Sequence, residues 1–184
     1  MVPNARSLFG MLRLFCSVIA LVLVTLYIVL AGLTDTLSES VSYSTLFLLA
    51  FLSSATFVVP GPSLLGVGVG GAVLNPWAVG LTMGTASTLG ELPAFVLAYW
   101  NRDDILRVPG ARRISVWMEH RRNIVIFALA ATPNPLFDVG SMLAAGAAMP
   151  LRTFGIVTLT GKIIRFTGAA WAGHLIGKTE LAFF

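Results

Sequence analysis

Four ionisable residues, Glu91, Asp138, Lys162 and Arg165, stand inside otherwise apolar runs of this chain. A charge at the centre of a bilayer costs about 2.5–3.5 kcal/mol on insertion scales, so side chains kept there are functional candidates by default. Two acids against two bases make a set that is neutral at rest and unbalanced when either acid takes a proton. Lys162 and Arg165, three positions apart, share a helical face. The chemistry is that of charge pairing, with Glu91 and Asp138 as the available counter-charges to Lys162 and Arg165. The competing reading is structural, with the four charges paired as buried ions that only fix helix packing.

Nothing in the sequence offers catalysis. No His or Cys spacing suits a metal, and no nucleophile elbow or phosphate loop is present. Gly66, Gly68, Gly70 and Gly71 lack the strand-helix setting of a dinucleotide fingerprint and read as helix-packing positions. The expectation is a non-enzyme with no catalytic residue, metal or cofactor. His174, beside Trp171, reads as interfacial. The single Cys16 reads as a small core residue, which leaves the redox compartment unread.

The elements that must hold those charges follow from composition and proline. With 57% hydrophobic and 11% charged residues and a mean hydropathy of +0.87, the chain reads as an all-α integral membrane protein. Its 184 residues make one domain, with room for three full spans at about 20 residues each and none for a second soluble domain. Residues 14–33 match a span of about 30 Å and exceed a signal-peptide core, so they are expected to be retained. The acidic segment that follows reads as external, which puts the amino terminus inside. Arg102, Arg107, Arg112, Arg113, Arg121 and Arg122 crowd one loop, expected to be cytoplasmic. Asp103, Asp104 and Glu119 within it argue against nucleic acid, and anionic headgroups suit it better.

Two apolar runs are interrupted by the same device, Pro60-Gly61-Pro62 and Pro133-Asn134-Pro135. A break inside membrane frees backbone groups that hydrocarbon cannot satisfy, so it persists only where protein or a water-lined cavity receives them. Residues 46–59 and 63–74 give about 21 and 18 Å of helix, short of a bilayer of about 30 Å. Either one kinked span or a re-entrant hairpin fits; the hairpin is favoured because it leaves the arginine loop inside. Residues 124–132, the second break and the small-residue run 140–149 form a second hairpin entering from inside. Long helices over 77–99 and from Pro150 to about 177 follow the two hairpins, with Trp77, Tyr99, Trp100 and Trp171 as interfacial anchors.

The expected plan is therefore an inverted repeat of two re-entrant hairpins, each followed by a transmembrane helix, behind an amino-terminal span. Repeat one covers 45–100, a cytoplasmic interfacial linker 101–122, and repeat two 123–177. Fifteen residues past Pro76 lies Glu91, and fifteen past Pro150 lies Arg165, a correspondence between the two halves.

Gly90-Glu91-Leu92-Pro93, the run Thr132-Pro133-Asn134-Pro135-Leu136-Phe137-Asp138 and Thr160-Gly161-Lys162 resemble the DedA superfamily, whose domain is called VTT or SNARE-associated Golgi protein. Within it, residues 45–177 look most like the vacuole membrane proteins of autophagy. The resemblance implies oppositely oriented re-entrant hairpins and a lipid translocase that scrambles phospholipid or recycles a polyprenyl phosphate. Pro62 and Ser63 follow Gly61 where an acid is usual, and Ala131 and Thr132 precede Pro133 where an arginine is usual. Those departures favour passive scrambling over proton-driven transport. Expected partners are membrane lipids, with protons and a second copy of the chain as further candidates, and no nucleic acid. The expected location is a prokaryotic plasma membrane. A proton- or ion-coupled carrier of a small solute, or a non-transporting scaffold, are the alternatives.

Overall fold

The computed structural model describes residues 42–55, 61–107, 110–133 and 136–181. The expected span over 14–33, Cys16, Pro60, Asn134 and Pro135 lie outside the described residues. Within them the chain is all helical: α1 (Tyr43–Ala55), α2 (Gly61–Val73), α3 (Pro76–Trp100), α4 (Arg102–Leu106), α5 (Ala111–Glu119), α6 (Arg122–Ala131), α7 (Leu136–Gly146) and α8 (Leu151–Leu181).

Local chemistry sets most of these boundaries. Ser42 Oγ accepts from the Thr45 amide, which caps α1 three residues earlier than the apolar run begins. Gly61 and Pro62 were expected in the break but open α2, where proline lacks an N–H that the first turn leaves unpaired anyway. Pro133 does separate α6 from α7 and is exposed. Asn75 Oδ1 accepts from the amides of Trp77 and Ala78, with Pro76 at the first position of α3. Gly110, at φ 85°, supplies the left-handed turn into α5.

The helices on either side of each proline break pack together, α1 on α2 and α6 on α7. Leu46 and Leu49 of α1 lie against Gly70 and Gly66 of α2, an antiparallel register. Leu129 and Ile126 of α6 lie against Gly140 of α7. Between them α3 and α8 run antiparallel: Trp77 meets Trp171 edge-on at 6.2 Å, Gly84 faces Ile163, and Phe95 stacks on Phe154 at 3.9 Å. Each first arm lies on the long helix that follows it, α1 on α3 and α6 on α8. Each second arm reaches the other long helix, α2 on α8 and α7 on α3.

Two cores result, and each borrows an aromatic ring from the opposite half. Phe166 of α8 fills the core beneath α1 and α2, with Leu46, Ala50 and Val67. Phe95 of α3 fills the core beneath α6 and α7, with Ile126, Ala130 and Phe137. Outward, Leu65, Ile124, Ile156, Leu175 and Ile176 are all more than half exposed, far more apolar surface than water tolerates in isolated patches. No helix among the described residues is both long and apolar enough to cross a membrane. At 25 and 31 residues α3 and α8 have the length. What they lack is uniform apolarity, because glycine, hydroxyl and charged residues line the faces they turn to each other.

Candidate functional site

Glycine sets the spacing on which the site depends. A Cβ on Gly90 of α3 would stand 2.5 Å from Phe51 O, 3.2 Å from Ser54 Cβ and 3.2 Å from Ala55 N of α1. A Cβ on Gly161 of α8 would stand 3.0 Å from Phe127 O, 2.7 Å from Ala130 Cβ and 3.1 Å from Ala131 N of α6. The same three atoms of the first arm meet the same glycine in both halves. At one constant spacing, Gly84, Gly90, Glu91, Phe95 and Trp100 fall on Gly155, Gly161, Lys162, Phe166 and Trp171.

Contact register therefore sets Glu91 opposite Lys162, correcting the match to Arg165 that counting from the prolines gives. At that same spacing position 76 falls on 147, three residues before Pro150, so the two prolines are not equivalent positions. Lys162 Nζ donates to Glu91 Oε1. A pair formed between two equivalent positions must straddle the axis that relates the halves, so this ion pair lies at the centre of the molecule.

Lys162 is almost wholly buried, at 2% exposure. Its ammonium also donates to Ser87 Oγ at 2.5 Å and to Ser87 O at 3.3 Å. With Glu91 those make three acceptors for three N–H groups, so the lysine is saturated. Its ammonium stands 5.1 Å from the ring centre of Phe137, a cation–π contact. Ser87 Oγ in turn lies 2.5 Å from Ser54 Oγ on α1. Ser87 and Ser54 had no part in the sequence expectation. Ser87 sits one turn before Glu91, a spacing that shares its face, whereas Ser54 reaches the site only through tertiary packing.

The other two charges join the cluster without bonding to it. Asp138, in the first turn of α7, and Arg165, one turn past Lys162, both interact electrostatically with the Glu91–Lys162 pair. Arg165 Nε is buried with no hydrogen-bond partner among the described residues, as are Glu91 Oε2 and Thr158 Oγ1. The structure thus brings Glu91, Asp138, Lys162 and Arg165 together, as expected, but divides the cations. One is fully engaged by α3, and the other retains unused donors. Among the described residues no group of three metal-ligating side chains forms.

Next to the charged turn runs an apolar cleft of about 510 Å³ lined by Leu89, Leu92, Pro93, Val96, Leu97 and Trp100. It follows α3 for about 16 Å at helical rise, half the thickness of a bilayer's hydrocarbon.

A family model of the VTT domain matches residues 59–175, and the chain belongs to that family, within the DedA superfamily. VTT proteins are membrane-associated and linked to membrane transport, which puts this chain at a membrane. No curated protein and no solved structure matches it.

Proposed function

We propose that this chain moves phosphate-bearing lipids between the leaflets of a bilayer. In this reading α1–α2 and α6–α7 are re-entrant hairpins entering from opposite faces, and α3 and α8 cross the membrane as a pair, their polar faces turned inward. Inverted repeats that meet at mid-membrane are a recurrent design for translocation. The observation that carries the proposal is Arg165, a half-buried guanidinium whose buried Nε has no hydrogen-bond partner among the described residues, beside the Glu91–Lys162 ion pair. A guanidinium in that condition is suited to a phosphate, which accepts charge-assisted hydrogen bonds and neutralises it.

The acyl chains would stay in hydrocarbon, with the cleft along Leu89 to Trp100 offering a seat beside the crossing point. Glu91, Asp138 and Lys162 follow the pattern of the vacuole membrane proteins, which favours scrambling without an energy source. Phospholipid and polyprenyl phosphate share the phosphate that Arg165 would read. The amino terminus would face the cytoplasm of a prokaryote. A second reading has one specific support: the saturation of Lys162 suits a lock between helices, so the Glu91–Lys162 pair alone would serve a non-transporting scaffold equally well.

Reconstitution into liposomes with a fluorescent phosphatidylglycerol tests the proposal. Transfer above protein-free vesicles is expected, falling about tenfold or more in Arg165→Gln, the loss of hydrogen bonds to a charged group. Because the buried Nε of Arg165 has no hydrogen-bond partner among the described residues, Arg165→Gln should unfold at nearly the wild-type temperature. Absence of transfer by the wild-type chain would sink the proposal.

A further inference from the structure

The two halves differ at one pair of equivalent positions next to the ion pair. Where Gly90 admits α1, the side chain facing the site is Ser54; where Gly161 admits α6, it is Ala130. Alanine therefore satisfies the packing at this contact, and the hydroxyl of Ser54 serves something else. Its partner is Ser87 Oγ at 2.5 Å, the same oxygen that accepts from Lys162. A hydroxyl accepts through two lone pairs and donates one hydrogen, so Ser87 can hold Lys162 and Ser54 together.

Ser87 has its own counterpart, Thr158, at the same spacing that sets Glu91 against Lys162. Symmetry would have the Thr158 hydroxyl serve Glu91 as Ser87 serves Lys162. That bond is not made: Thr158 Oγ1 and Glu91 Oε2 are both buried and unpartnered among the described residues. The cluster thus makes one half of a symmetric arrangement, and the equivalent donor and acceptor of the other half are unused among the described residues.

We infer that Ser54, Ser87 and Thr158 are positioning residues that govern when Lys162 can meet a phosphate, an inference that rests on the translocase reading above. Ser54, carried on the first hairpin, fixes Ser87 and so keeps Lys162 on Glu91 while the site is empty. When that hairpin shifts off α3, Ser87 loses its anchor and the ammonium turns toward a phosphate already held by Arg165. As the ammonium leaves, Thr158 donates to the free oxygen of Glu91, which lessens the cost of burying that carboxylate without its ion pair. Lys162 then exchanges a carboxylate for a phosphate, so the ammonium stays paired with an anion throughout.

The test uses the full chain in liposomes carrying either a fluorescent phosphatidylglycerol or a fluorescent neutral glycolipid. Ser54→Ala, which installs the side chain already tolerated at Ala130, is expected to raise phosphatidylglycerol transfer about two- to tenfold, the effect of one hydrogen bond. Glycolipid transfer should not change. Ser54→Thr, which keeps the hydroxyl, should behave as wild type, and Thr158→Val should lower phosphatidylglycerol transfer by a similar factor. A Ser54→Ala protein that accelerates both lipids alike would mark general loosening and overturn the inference. Wild-type transfer with no response to Ser54→Ala overturns the inference alone, whereas no transfer by wild type overturns the translocase reading with it.

Discussion

Lys162 is the most constrained polar side chain of the cluster, and its environment decides what each neighbour can do. Removing it strands Glu91, and a buried carboxylate without its partner typically costs about 3–5 kcal/mol. Lys162→Met is accordingly expected to lower the thermal unfolding temperature in detergent sharply. Exchanging the charges, Glu91→Lys with Lys162→Glu, should recover most of that loss, because the two positions are equivalent and each offers a hydroxyl one turn earlier, Ser87 or Thr158. A doubly exchanged protein no more stable than Lys162→Met would show that the pair does not sit on the symmetry axis. At this scale the sequence was informative about charge and silent about hydroxyls. Glu91, Asp138, Lys162 and Arg165 stand out because ionised groups are rare in apolar runs. Ser54 does not, since serine in such a run is ordinary as a small packing residue, and only the fold brings it to Ser87.

Among the elements, glycine determines how closely the hairpins approach the long helices. Gly90→Ala and Gly161→Ala would each drive a methyl group into the first arm's backbone, and overpacking of this kind costs about 1–3 kcal/mol. Gly68 and Gly168 have open space where a Cβ would go. Alanine there should be neutral or stabilising by up to about 1 kcal/mol, from helix propensity. Thermal unfolding of the four variants separates the two groups, and equal losses in all four would contradict the glycine-set contact. Proline made helix boundaries legible in the sequence, because Pro60 to Pro62 and Pro133 to Pro135 punctuate apolar runs too short to cross a bilayer. It misplaced the register, because prolines bound helices whereas the glycine contacts align them. Thus Gly61 and Pro62 belong to α2, and Lys162 rather than Arg165 is the position equivalent to Glu91.

For the whole molecule, membership of the VTT family and the outward apolar surface agree on a membrane setting. The helices that would cross it are too polar to be recognised one at a time. Composition made the membrane legible, but it could not show that α3 and α8 bury their polar faces against each other. Lipid translocation requires that the ion pair sit at mid-bilayer with one hairpin reaching it from each side. Cysteine accessibility in sealed vesicles measures this most directly, with Cys16 replaced by serine and single cysteines introduced at Ser42, Asn75, Asp103, Asn123 and Ala148. Labelling of Ser42→Cys and Asn75→Cys from one side, and of Asp103→Cys, Asn123→Cys and Ala148→Cys from the other, is the predicted result. Ser42→Cys and Asn75→Cys reacting from opposite sides would contradict it.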